Sequence, residues 1–160
     1  MWMFDYLKEE LHVTIHQKPI IKEINGKTFL IGHGDGLGPG DQKYKPIKRF
    51  FSNRFCQWLF ARIHPNLAFS IAHNWSRRSR EKEMHGELSF LGEEKEWLII
   101  YAKEKLKTNR IDFFVFGHRH LPISHQLTEN STYINLGDWI RHNTYAIMED
   151  EEMKLEQFQI

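Results

Sequence analysis

Three histidines and one aspartate follow directly after two strongly apolar stretches of the sequence. Residues 29–31 lead into Gly32-His33-Gly34-Asp35, and residues 113–116 lead into Gly117-His118-Arg119-His120. A short apolar run bounded by glycine is typical of a buried strand. Binding sites in open α/β sheets gather at the carboxyl ends of such strands. The two strand ends therefore predict one shared metal site at the edge of a sheet.

The types of donor atom limit which metal ions the site would bind. In an extended strand end, residues i and i+2 point the same way, so His118 and His120 are expected to face one ion or two adjacent ions. Imidazole with carboxylate suits Mn, Fe or Zn better than Ca or Mg. A centre of two metal ions also needs a bridging carboxylate, and the candidates are Asp35 and Asp41 in a glycine-rich loop. For His33 and Asp35 taken alone, the simpler interpretation is a capping loop with a structural aspartate.

Length and composition limit the number of domains, the kind of partner and the redox compartment that can be expected. A chain of 160 residues with 41% hydrophobic residues is expected to form one domain with a substantial core. Its 22 basic and 21 acidic residues nearly cancel, although residues 43–82 carry ten basic residues against Glu81 alone. A nearly neutral chain without a nucleic-acid-binding motif argues against a nucleic-acid partner. The one cysteine, Cys56, excludes an intrachain disulfide and favours a reducing compartment.

The elements that must position these residues follow from apolar periodicity and turn signals. Helices are predicted over residues 1–11, 43–63, 65–82 and 93–107. A hairpin is predicted from strands 19–24 and 27–31 joined by Asn25-Gly26. After the buried strand 111–116, the pattern predicts an antiparallel meander of strands 123–128, 132–136, 144–148 and 153–159.

Two interpretations of the helical stretch 43–82 stay open. Its basic residues fall on one side and its Phe, Trp, Ile and Leu residues on the other. The first interpretation is a pair of amphipathic helices packed on the core. The second is a basic amphipathic surface that meets anionic lipid.

The glycine-bracketed motifs carry a resemblance. Gly32-His33-Gly34-Asp35 and Gly117-His118-Arg119-His120 resemble the last two motifs of the calcineurin-like metallophosphoesterases. The loop through Asp41, the basic helical insertion and residues 135–139 (NLGDW) are similar to the UDP-2,3-diacylglucosamine hydrolase type within that superfamily. The resemblance implies an α/β fold, part of an α-β-β-α sandwich, with a helical cap at about 43–90 and a C-terminal antiparallel meander. The whole of residues 1–160 would form one partial domain.

The resemblance also implies an activity and its residues. The family hydrolyses the pyrophosphate of UDP-2,3-diacylglucosamine in lipid A biosynthesis, uses two Mn²⁺ ions, and works at the cytoplasmic face of the inner membrane. His33 and His118 match ligands of one metal, His120 matches a ligand of the other, and Asp35 would orient His33. The positions that match the substrate-binding region are Asp41, Tyr44, Asn74, Ser76, Arg77, Arg78, Ser79 and Arg80.

The chain departs from the family at its beginning. The family's Asp-X-His, Gly-Asp and Gly-Asn-His/Arg-Asp motifs are absent from this sequence. The chain is therefore expected to correspond to the C-terminal part of such an enzyme, without an independent catalytic residue. An uncovered sheet edge would then favour self-association or a missing N-terminal half as partner. The alternatives are a catalytically silent fragment that binds lipid or a partner chain, and a metallophosphoesterase with a different phosphodiester or nucleotide substrate.

Overall fold

The computed structural model describes residues 2–39, 44–86 and 89–159. It has a mixed α/β architecture, which confirms the predicted fold class. The helices are α1 (Trp2–Glu9), α2 (Tyr44–Ser52), α3 (Arg54–Phe60), α4 (Pro65–Gly86) and α5 (Trp97–Leu106). The strands are β1 (Ile20–Ile24), β2 (Lys27–Gly32), β3 (Phe113–Phe116), β4 (Pro122–Thr128), β5 (Ser131–Leu136), β6 (Thr144–Glu149) and β7 (Glu152–Gln157).

A five-stranded sheet in the order β1-β2-β3-β5-β4 forms the centre. The predicted hairpin is present: β1 and β2 pair antiparallel through Asn25 and Gly26, whose φ angles of 50° and 76° suit a tight turn. The strands β2, β3 and β5 run parallel to one another, and β4 pairs antiparallel with β5 at the other edge. Pro122 begins this edge strand, where a missing N–H is tolerated.

The predicted four-strand meander is confirmed in two antiparallel pairs, β4 with β5 and β6 with β7, but it is wrong in joining these two pairs. The strands themselves are present, but β5 joins β3 in parallel, while β6 and β7 form a separate hairpin. The break falls after Leu136, where Gly137 adopts a φ of 75° and the next residue, Asp138, binds the following backbone N–H groups. The chain therefore leaves the sheet at β5 instead of turning back onto it.

The core lies between one face of the sheet and α5. Apolar side chains from β2, β3 and β5 meet three residues of α5, and all of them are almost completely buried. They are Leu30, Phe114, Phe116, Tyr133, Leu98, Ile99 and Ala102. Burial of one Leu or Phe side chain contributes roughly 1.5–3 kcal/mol. The helix α5 is thus fixed against the strands whose ends carry the histidines.

The helices before the core differ from their prediction. The expected helix 43–63 is interrupted at Asn53, whose side-chain Oδ1 accepts hydrogen bonds from Phe55 N and Cys56 N at 2.8 and 3.2 Å. Such a cap starts a new helix, so two short helices replace one.

The interpretation that the apolar residues of the helical stretch 43–82 pack on the core is also wrong for most of those that the structure describes. The exposed ones include Phe50, Phe51, Phe55, Trp58, Leu59, Leu67, Phe69 and Trp75.

Candidate functional site

The ends of β2 and β3 bring two of the predicted ligands together. The strands are parallel neighbours with Gly32 opposite Phe116, so the residues that follow them lie side by side. The ring centroids of His33 and His118 are 5.3 Å apart, in an edge-to-face arrangement. The N–H of Gly117 donates to the carbonyl of His33 at 3.0 Å, which ties the two strand ends together.

The third histidine is reached by a turn instead of an extended strand. The N–H of Arg119 donates to the carbonyl of Gly117 at 2.6 Å, and the φ angles of His118 and His120 are 58° and 54°. The expectation that both imidazoles project from an extended strand end is therefore wrong. The Gly117 carbonyl also accepts a hydrogen bond from the Asn135 side chain. His118 is half-buried at this turn, while His120 is exposed to solvent.

Glycine is required where the first motif packs against its neighbours. Gly34 has a φ of 113°, and a β-carbon built there would lie 3.0 Å from Leu98 Cδ1 and 3.3 Å from His118 Cβ. A β-carbon at Gly38 would lie 2.6 Å from the carbonyl oxygen of Trp97. The glycine-rich loop therefore lies directly on the start of α5 and on His118, at a separation that a side chain would prevent.

A buried ion pair beneath the histidines was not predicted. Arg119 is 2% exposed and Glu96 1%, and Arg119 Nη2 lies 2.8 Å from Glu96 Oε1. The same nitrogen donates to the carbonyl of Ser89 at 3.2 Å. Charged side chains are seldom fully buried unless they are paired. The sequence places Arg119 between two histidines but contains no signal that pairs it with a glutamate 23 residues earlier.

A third strand end at the same edge carries Asp138, directly after β5 and Gly137. Its Oδ1 accepts hydrogen bonds from the N–H groups of Ile140, Arg141 and His142 at 2.8, 2.6 and 3.3 Å. Burial by itself would raise the pKa of Asp138, but these backbone hydrogen bonds, with one to the His142 ring, hold the pKa well below its usual range. The aspartate orders the loop around residues 138–142.

The donors within the described part of the chain do not complete a two-metal centre. Among residues 2–39, 44–86 and 89–159, no group of three or more His, Cys, Asp or Glu side chains could hold a metal ion. The paired imidazoles of His33 and His118 supply two donors of the type that Mn or Zn accepts. The remaining donors of such a centre would have to come from outside the described residues.

The predicted substrate residues are only partly within the described structure. Asp41 lies outside the described residues, and Tyr44 begins α2 with its side chain undescribed. Asn74, Ser76 and Arg77 are exposed on α4. Arg78, Ser79 and Arg80 continue the same helix, and their side chains lie outside the described part. Asp35 is half-buried in the glycine-rich loop. The roles of these residues remain predictions.

An apolar cavity lies among the exposed helices. It has a volume of about 420 Å³ and is formed by α2, α3 and the turn that follows them. Its lining includes Phe50, Phe51, Phe55, Leu59, Phe60 and Ile63. A cavity with this lining is suited to hydrocarbon and offers almost no hydrogen-bonding partner to a polar ligand.

Comparison with known proteins shows what the chain is related to. No protein-family model matches it. A curated protein of Porphyromonas gingivalis, named UDP-2,3-diacylglucosamine hydrolase, is 32% identical over 99% of this chain and 65% of the relative. A protein of the same name in Histophilus somni is 26% identical over 74% of this chain and 49% of the relative. Another in Aeromonas hydrophila is 24% identical over 91% of this chain and 60% of the relative.

These relatives confirm the resemblance that the two motifs carry. The chain is homologous to proteins of the metallophosphoesterase type. Within that class, its named homologues are UDP-2,3-diacylglucosamine hydrolases, and the relationship extends over nearly the whole chain. The chain spans between about half and about two thirds of the length of the three relatives described.

Proposed function

We propose that this chain serves in the hydrolysis of the pyrophosphate of UDP-2,3-diacylglucosamine in lipid A biosynthesis, as the C-terminal part of such an enzyme. The observation that supports the proposal is the contact between His33 and His118 at neighbouring parallel strand ends. This contact between the two histidines occurs in a chain that is 32% identical over 99% of its length to a protein named for this substrate.

The proposed role of the strand ends is to hold part of a manganese centre. His33, His118 and His120 would be its ligands, and Asp35 would orient His33. The described donors do not complete such a centre, so the proposal assigns to this chain only what its own side chains can do. Gly117 and Asn135 hold the turn that carries His118, and the glycine-rich loop keeps His33 beside it.

The helical region is proposed to receive the lipid part of the substrate. Its cavity is lined by aromatic and aliphatic side chains. Arg54 and Arg62 stand on or next to the same helices, and Arg62 lies over the ring of Trp58 at 3.5 Å. Basic and aromatic residues together favour a surface that rests on anionic lipid. The proposed position of the chain is the cytoplasmic surface of the inner membrane, as the family resemblance implies, with Asp41, Tyr44 and residues 74–80 toward the head group. Separately, no described helix is long and apolar enough to cross a membrane.

The sheet edge supports a proposal of self-association. Strand β1 forms one edge of the five-stranded sheet, and its Ile21 and Ile24 are exposed. An edge strand with exposed apolar side chains is a ready template for pairing with another chain. Size-exclusion chromatography at several concentrations tests this, and a monomer that is independent of concentration would contradict it.

A second candidate function is lipid binding without catalysis. One observation favours it: the large apolar residues of the helices that the structure describes face solvent. The chain would then bind lipid vesicles or a partner chain and release no nucleotide.

The test combines an assay and a metal measurement. UDP-2,3-diacylglucosamine in mixed micelles is incubated with the chain and Mn²⁺, and UMP release is measured. We expect H33A and H118A to abolish any release, while H16A, which replaces an exposed histidine outside the proposed ligand set, leaves it unchanged. Release that survives H33A and H118A would contradict the proposed site. Vesicle binding without release would favour the silent lipid binder, and release from other phosphodiesters alone would favour a different substrate.

Manganese stoichiometry is measured by equilibrium dialysis with elemental analysis. Weak binding of at most one ion, lost in H33A or H118A, would fit a partial centre. Two tightly bound ions would show that the donor set is complete within this chain. In that case our assignment of the missing donors is wrong, and the UMP assay decides whether this chain is active alone.

A further inference from the structure

Arg119 is held by three groups from the segment that leads into α5. Its Nη2 donates to Glu96 Oε1 at 2.8 Å and to the carbonyl of Ser89 at 3.2 Å. The guanidinium carbon lies 5.6 Å from the centre of the Trp97 ring. The side chains of Arg119 and Glu96 are each 1% exposed. The segment thus encloses the guanidinium on several sides and separates it from solvent.

The backbone on both sides of Arg119 is in an unfavourable conformation. His118 and His120 have φ angles of 58° and 54°, in the left-handed region that residues other than glycine rarely adopt. Such residues persist only where the surrounding structure determines their conformation. The buried side chain between them is one constraint on this turn, because it fixes Arg119 relative to α5.

Three consecutive residues at the start of α5 each contact a different part of the histidine site. Glu96 binds Arg119, and the Trp97 ring lies edge-on to the His118 ring at 6.3 Å. Leu98 lies directly behind Gly34, the residue after His33. This short segment therefore touches both histidine loops, and its ion pair with Arg119 is fully buried.

We infer that Arg119, through its buried ion pair with Glu96, is a positioning residue that holds His118 against His33. The inference rests on the proposed role of these histidines in the site. An arginine between two histidines of a phosphoesterase motif would ordinarily suggest a phosphate-binding residue. Its burial assigns it the other role, because a guanidinium enclosed by Glu96, Ser89 and Trp97 does not reach a substrate in solvent.

Three variants test the inference. The double variant E96L/R119M removes both charges, so that neither is left buried and unpaired. The single variant R119K keeps the charge but replaces the planar fork by a point charge, which cannot bind Glu96 and Ser89 in the same geometry. The control K103M breaks the exposed ion pair between Lys103 and Glu93, three residues before Glu96. Circular dichroism first establishes which variants are folded.

The readout is the arrangement of the rings without metal. In protein labelled at histidine and tryptophan, nuclear Overhauser effects should connect the ring of His118 with those of His33 and Trp97 in the wild type and in K103M. We expect these effects to disappear in folded E96L/R119M and to weaken at least twofold in R119K. If the double variant does not fold, the result for R119K alone decides whether the inference holds. A folded variant without the guanidinium that keeps both effects at full strength would overturn the inference.

If the wild type shows the ring contacts but releases no UMP, the proposed function fails and the positioning role stands.

Discussion

The sheet edge and the helical region hold their functional side chains in opposite ways. At the edge, His118 is fixed by a buried ion pair, a glycine loop and the ring of Trp97. In the helices, the large apolar residues face outward: Phe69 is 73% exposed, whereas Phe114 in the core is 0% exposed. The edge is organised by contacts within the chain. The helical region instead presents its large apolar side chains to solvent, and this is the surface that we propose to meet lipid.

The largest predicted effect contrasts one phenylalanine from each region. We expect Phe114→Ala to lower the free energy of unfolding by about 3–5 kcal/mol, because it leaves a cavity in the core. Phe55→Ala, at a position 67% exposed, is expected to change the free energy of unfolding by less than about 0.5 kcal/mol. Urea denaturation measures both. Equal losses in the two variants would show that the helices pack on the core and would remove the contrast.

The next effect separates steric contact from backbone strain at the edge. Gly34 and Gly26 both have positive φ angles, but a β-carbon meets Leu98 at Gly34 and nothing within 4 Å at Gly26. Both alanine variants incur a backbone cost, which is larger at Gly34 because its φ of 113° lies further from the left-handed region than the 76° of Gly26, and only Gly34→Ala also overpacks. We expect Gly34→Ala to lose about 1–3 kcal/mol more than Gly26→Ala in urea denaturation. A difference near zero would mean that the loop moves freely off α5.

A smaller effect concerns the carboxylate at the end of β5. The pKa of Asp138 is held below its usual range in the folded chain, so its contribution to stability is present above the unfolded pKa of about 3.9. That contribution is lost as the pH falls toward the lower folded pKa. We expect Asp138→Asn to cost about 1–2 kcal/mol at pH 7, from weakened hydrogen bonds to a charged group. The gap between wild type and variant should narrow below about pH 4; a gap that widens in acid would contradict the assignment.

The smallest predicted effect is a shift in the pKa of one buried tyrosine. Tyr133 lies in the core beside Asn135, and burial raises the pKa of its hydroxyl to about 12. In a spectroscopic titration we expect this tyrosine to ionise about two pH units above an ordinary tyrosine, whose pKa is about 10. Tyr133→Phe assigns the signal. Ionisation of Tyr133 near pH 10 would mean that water reaches the core side of the histidine edge.

The sequence was most informative where local chemistry decides the structure. The hairpin at Asn25-Gly26, the two buried strands and the meeting of His33 with His118 follow from turn residues and apolar runs. The helix break at Asn53 could also have been predicted, because asparagine is a preferred cap residue.

Other features depend on contacts between distant residues. The pairing of β5 with β3 cannot be read from alternating apolar residues, which fit a meander equally well. The turn at His118 depends on hydrogen bonds to Gly117 from Arg119 and Asn135. The bond between Arg119 and Glu96 joins two charged residues that a sequence pattern would place at the surface.

The pairing of β2 with β3 has a consequence for the way the chain folds. Residues 84 positions apart meet there, as Thr28 N donates to Asp112 Oδ2. Closing such a long loop costs conformational entropy before the contacts between the two strands can offset that cost. Sheets with such pairings therefore assemble slowly. The helices within the loop need no such closure and can form earlier, with their aromatic side chains already exposed. During folding, the chain would therefore expose apolar helical surface for some time before its central sheet closes, and aggregation competes with folding in that interval.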